Sequence, residues 1–484
     1  VTSKSSSATV PSRACALDAL RGLAILAMLL SGQLPFDHNA LPGWMYHAQE
    51  PPPHFAWDGT LAGISWVDLV FPFFLFAMGA AFPLALARRM DNHLPPWKLP
   101  AFVVERGLLL GFFALFVMAI RPSAMSDHPT AWTWLAALLG FLICFPILTR
   151  LPGAWPQAVK ISIRAAGWLA AIAFFALARY PDGSGFRPGR SDIIIVVLAN
   201  MAVFGSLIWM VTRRALLPRL GLLGILLAIR LSNLPQPVDG WVRDLWTFSP
   251  LPWIYQFYYL QYLCIVIPGT IAGDLILQWL RSAEPAHQRQ PVPAWPLRRY
   301  VCLGALMGGF VLVLLCGLKA RWVTGTALVT FALCGCGWKL LQKPLNDIEK
   351  LYQKLFCWAI YWLVLGLVFE PYEGGIKKSH PTLSYYFITS GLAICVYIGF
   401  SIVIDVFRQK RLLRLLMDNG QNPMIAYAGI NNFITPVLAL TGVSGLLADF
   451  ATSPWRGFWR GVLITLLMAV TVSFLTRKKI FWRT

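Results

Sequence analysis

Charge is what this chain has least of. Only 13% of its 484 residues are charged, about half the roughly 25% usual in a soluble domain. No basic module stands apart from the apolar segments. The formal charge of +20 therefore does not point to nucleic acid, because the basic residues sit in short loops between apolar runs. Cysteine is absent from every long loop. All nine lie in or beside apolar segments, which excludes a disulfide framework, and Cys334 and Cys336 lack the second ligand pair that zinc needs. No metal is expected. There is no Walker loop, no G-x-S-x-G and no H-E-x-x-H, so phosphoryl transfer by a P-loop, serine hydrolysis and zinc proteolysis have no support.

What is present is hydrophobicity, 57% of the chain, with a mean hydropathy of +0.61. Apolar runs of about 18 residues or more span membranes as helices, since only a helix satisfies its own backbone in lipid. The pattern predicts an all-α polytopic membrane bundle with about 12–14 spans. Candidate helices are 16–34, 66–87, 101–120, 131–149, 165–180, 191–211, 215–231, 255–280, 300–318, 321–341, 354–369, 383–405, 422–440 and 457–475. Those at 165–180, 215–231 and 354–369 are short enough to be re-entrant or merely buried. With the N-terminus in the cytoplasm, roughly two-thirds of the lysines and arginines fall in inside loops, which favours both termini inside. Residues 1–15 read as a disordered cytoplasmic tail and 16–484 as one membrane domain. A proline-rich linker at 285–296 suggests sub-bundles 16–281 and 299–484.

The loop 35–65 has no lysine or arginine but holds His38, His47 and His54. On this topology it faces the periplasm, lumen or exterior. Neutral imidazole is suited to take a proton near pH 7 or to carry a group covalently. His47 and His54 have aromatic neighbours, whereas His38 and His128 read as solvated turn residues. Asp58 or Asp68 would hold a ring in the needed tautomer. Asp68 opens the string SWVDLVFPFFLFAMG, and a carboxylate at a membrane mouth is a functional candidate, although it also suits a helix N-terminus. Asp18 and Arg21 share one face of the first helix, as a ligand contact or as an orienting ion pair. Further binding candidates are Asp274, the paired Lys377 and Lys378 in a glycine-containing loop, and Tyr427 in DNGQNPMIAY. In that string Asn422 either caps a helix or lends its amide to a polar pocket.

Several strings resemble the transmembrane acetyltransferases related to heparan-alpha-glucosaminide N-acetyltransferase. They are ALDALRGLAI, with Asp18 and Arg21; H-x-x-W-D-G at His54–Gly59; DLVFPFFLFAMG at 68–79; KKSHPTLSYYFITSG at 377–391; and NPMIAYAG at 422–429. The resemblance implies transfer of an acetyl group from cytosolic acetyl-CoA to the amine or hydroxyl of an amino sugar across the membrane, with a loop histidine as the catalytic residue. His54 keeps the following Trp-Asp-Gly but lacks the family's alanine; His47 keeps the alanine but lacks the tryptophan and glycine. His54 is the first choice for the catalytic residue and His47 the second. Asp18, Arg21, Asp58, Asp68 and Asn422 are expected in support, with Asn422 as a donor to the oxyanion. The expected partners are acetyl-CoA, an amino-sugar acceptor, membrane lipids and a second copy of the chain, in a bacterial inner membrane. The competing reading is a secondary transporter for an amino sugar or similar solute, with Asp68 and Asp274 as its binding carboxylates.

Overall fold

The computed structural model describes residues 14–36, 40–91, 97–232, 240–282 and 294–483. The polar N-terminal tail, His38 and most of the proline-rich linker lie outside them. Among the described residues the chain is a bundle of helices without strands, and twelve helices are long and apolar enough to cross a membrane. This is an integral membrane protein.

The bundle helices are α1 (Cys15–Ser31), α2 (Trp66–Asp91), α3 (Lys98–Ala119), α4 (Ala131–Leu148), α5 (Gln157–Leu177), α6 (Ile193–Thr212), α7 (Leu216–Ser232), α8 (Leu263–Ser282), α9 (Leu297–Lys319), α10 (Val323–Leu340), α11 (Asp347–Phe369) and α12 (Leu383–Ser401). They are followed by α13 (Arg414–Gln421), α14 (Pro423–Leu440) and α15 (Pro454–Arg477). All fourteen apolar segments of the sequence are helical. Two of the doubtful ones are longer than expected, because α5 and α11 begin in polar residues that an apolar window leaves out. The third, α7, has 17 residues, as does α1. Segment 422–440 is helical but passes through a π turn at Ile430–Ile434.

Burial sorts the helices. The spans containing α2, α8 and α12 are more than 70% buried, whereas α5 is only 11% buried and turns its apolar face to lipid. In lipid, helices associate by close van der Waals packing of small residues rather than by expelling water. Here Gly79 meets Val266, and Gly269 and Gly273 lie against the backbone of Phe76 and Ala80, clamping α2 to α8. Gly22 and Gly420 do the same between α1 and α13, each lacking a Cβ that would fall 1.8 Å from a carbonyl oxygen. One hydrophobic core runs through both sequence halves, so the linker does not divide it.

The α1–α13 contact gives a direct test. Gly420→Ala drives its methyl into the Asp18 carbonyl and should lower stability by about 1–3 kcal/mol. A thermal melt of the detergent-purified protein checks this, with Gly442→Ala, whose site is open but strained, as a milder comparison.

Candidate functional site

The loop between α1 and α2 is shaped by a few polar side chains. Tyr46 donates its hydroxyl hydrogen to the Pro35 carbonyl and accepts from Leu41 N–H. Gln49, fully buried, donates to the Leu61 and Gly63 carbonyls and accepts from the amides of Lys378 and Ser379. Gln49 thus fastens this loop to the one between α11 and α12, and Lys377 Nζ adds a bond to the Gly59 carbonyl. That second loop is held in turn by Arg321–Glu370 and Arg230–Glu373 ion pairs. Gly374 and Gly375 take the positive φ its turn requires.

At the junction, His47 Nδ1 lies 2.7 Å from Asp68 Oδ1. The Asp68 side chain is wholly buried. Its second oxygen accepts from Ser65 N–H at 2.8 Å, Ser65 Oγ at 3.2 Å and Ala48 N–H at 3.2 Å. Burying a carboxylate is costly unless it is paired and hydrogen-bonded, and every partner needed is here. Ser65 and Asp68 form the start of α2 as a capping pair. With Nδ1–H donated to Asp68, His47 Nε2 keeps its lone pair for other chemistry. Lys378 Nζ lies beside both ring nitrogens, 3.2 Å from Nε2 and 3.3 Å from Nδ1. Burial lowers the Lys378 pKa from 10.5, with Asp68 and Glu50 opposing the shift.

The other loop candidates are placed differently. His54 is exposed, with no hydrogen bond to another described residue. Asp58 spends its carboxylate on Thr60 N–H and Oγ, which hold its pKa below the ordinary range. The ring-holding carboxylate is Asp68, and the ring it holds is His47. His128 is an exposed turn residue.

Asp18 and Arg21 lie toward the opposite end of the bundle, where α2 finishes. Arg21 donates to the Gly420 and Ala77 carbonyls and sits 3.8 Å from Asp18. It lines a cavity of about 680 Å³ together with Arg89, Arg106, Arg150, Arg483 and Tyr427. Five arginines thus face one space. Phe102 lies under the Arg89 guanidinium and beside that of Arg106, whose Nε is buried without a hydrogen-bond partner among the described residues. Deeper in, the walls turn apolar, with Phe74, Met78 and Ile195. From Arg89 to Phe74 the cavity follows α2 for about 22 Å, and Phe74 lies about 9 Å along the helix axis from Asp68, at 1.5 Å per residue. Tyr427 bonds Asp192 at 2.7 Å near the inner part of this space.

Asn422 is fully buried and is not among the residues that line the arginine cavity. Its amide donates to the Ile480 carbonyl and its oxygen accepts from Trp482 N–H, pinning the last residues against the bundle. Asp274 is likewise engaged, bonded by Trp209 Nε1 and by Arg219. The convergence of Arg89, Arg106, Arg150 and Arg483 escapes sequence reading. They come from four separate segments, and of the four only Arg106 stands inside an apolar run.

Fold and site together define a polytopic helical membrane protein with a carboxylate–histidine pair at one end and an arginine-lined cavity opening from the other. The chain belongs to a family described as a domain of unknown function, DUF5009, whose model matches residues 13–276. No curated protein matches it.

Two outcomes follow from the geometry. Asp68→Ala leaves the Ser65 and Ala48 amides without their acceptor and should destabilise the protein by about 3–5 kcal/mol, read as a fall in the detergent melting temperature. For Lys378 the folded pKa lies below 10.5, so near that value the unfolded chain binds more protons and stability rises with pH until 10.5 is passed. Lys378→Met should flatten that rise in melts run across alkaline pH.

Proposed function

We propose that the protein is an acetyl-CoA-dependent membrane acetyltransferase that uses His47 to acetylate an amino sugar. The observation that carries the reading is the pairing of His47 with buried Asp68, on the same helix that lines the arginine cavity. Acetyl-CoA suits that cavity in kind and in size: guanidinium groups match its phosphates, the apolar inner wall suits the pantetheine arm, and the volume is in the usual range for ligand pockets. The lysine and arginine bias favours a cytoplasmic arginine end, which would place acetyl-CoA on the cytosolic side and the acceptor opposite, in a bacterial inner membrane.

In the reaction, Asp68 orients the imidazole and His47 Nε2 takes a proton from the acceptor amine as its nitrogen bonds to the thioester carbon. The C–S bond breaks and CoA leaves as its thiolate. The Lys378 ammonium, close to Nε2, is suited to stabilise charge that develops on the carbonyl oxygen. The transporter reading has less support, because Asp68 and Asp274 are both already bound by protein partners.

The test is transfer from labelled acetyl-CoA to glucosamine by purified protein. His47→Ala should reduce the rate by about 10²–10⁴-fold, while His54→Ala leaves it unchanged. Arg106→Gln should raise KM for acetyl-CoA more than it lowers kcat. Full activity in His47→Ala ends the reading.

A further inference from the structure

A second cavity, of about 450 Å³, opens at the same end of the bundle as the arginine cavity, where α2, α6 and α8 finish and α7 begins. Four arginines and two carboxylates line it. Two of the arginines are neutralised. Arg219, buried, pairs with Asp274 at 2.6 Å and also bonds Thr212 and Thr270; Arg281 pairs with Asp91 at 2.5 Å. Arg213 and Arg214 have no carboxylate within 4.0 Å among the described residues, so they add two positive charges that no described carboxylate pairs. The first turn of α7 starts in its wall at Leu216 and adds the positive end of a helix dipole.

The surroundings distinguish a lipid from a dissolved anion. Val211 and Leu217, which flank the arginine pair, are 85% and 79% exposed. Apolar side chains this open belong against acyl chains, and basic residues between them belong at headgroup height. We propose that this cavity binds the phosphate groups of an anionic phospholipid, with Arg213 and Arg214 as the phosphate ligands and the Arg219–Asp274 pair as the fixed floor. A two-phosphate lipid matches the charges of Arg213 and Arg214. This site is separate from the proposed acetyl-CoA cavity and does not depend on that assignment.

The experiment titrates full-length protein in neutral detergent with cardiolipin, with phosphatidylcholine, or with inorganic pyrophosphate, following the unfolding midpoint and lipid retention by native mass spectrometry. Cardiolipin should raise the midpoint saturably and remain bound, and phosphatidylcholine should do neither. The double variant R213Q/R214Q should bind cardiolipin roughly 30-fold more weakly, about fivefold for each arginine near a membrane surface. If that variant does not fold, R214Q alone, at an exposed position, should show the fivefold loss. Unchanged cardiolipin affinity in the variants overturns the proposal. So does stabilisation by pyrophosphate without retention of cardiolipin, which would assign the charges to a soluble phosphate.

Discussion

The Asp68 carboxylate has to be kept ionised and buried at the mouth of a membrane helix, and the surrounding architecture answers that demand. Alone, such a group would neutralise or pull water inward. Here His47, Ser65 and Ala48 occupy its oxygens, and Tyr385 donates to its main-chain carbonyl at 2.8 Å. Gln49 then ties the His47 loop to the Lys378 loop, so the charge, the imidazole and the ammonium are set by the same few hydrogen bonds. The pair is consequently a rigid feature of the fold rather than a surface contact.

The two ends of the bundle have opposite character, and α2 joins them. At one end stands the His47 imidazole with its carboxylate; at the other, five guanidinium groups face a cavity whose interior turns apolar with depth. Glycine contacts hold α1 against α13, and residues of both, Arg21 and Gln421 among them, line the cavity. Arg21 shows the coupling most plainly, since its guanidinium bridges the backbones of α2 and α13 while facing the same space. The packing that holds the core is also the packing that shapes the cavity.

Much of the fold was legible in the sequence, because in a membrane the hydropathy pattern is itself the folding rule. All fourteen segments are helical, and their errors lie at polar ends such as 157–164, where the helix continues beyond the apolar window. The site was legible in part. Asp68 and His47 were both candidates, but motif spacing favoured His54, since a Trp-Asp-Gly string carries no information about which ring reaches a carboxylate. S-x-x-D at Ser65–Asp68 was the local signal that Asp68 would be capped and buried. Asn422 read equally well as a cap or a donor until Ile480 and Trp482, nearly sixty residues later, claimed both ends of its amide. Arg89, Arg150 and Arg483 looked like ordinary loop or helix-end charges, and the convergence of all five cavity arginines is purely tertiary.

The central claim is that the arginine cavity and His47 are two ends of one path across the bilayer. It is tested most directly in sealed proteoliposomes, with labelled acetyl-CoA on one side only and a membrane-impermeant amino sugar on one side only. The account predicts labelled product when donor and acceptor are on opposite sides, with the donor at the arginine end, and no product from His47→Ala vesicles. Product formed equally well with both reactants confined to one side would contradict it.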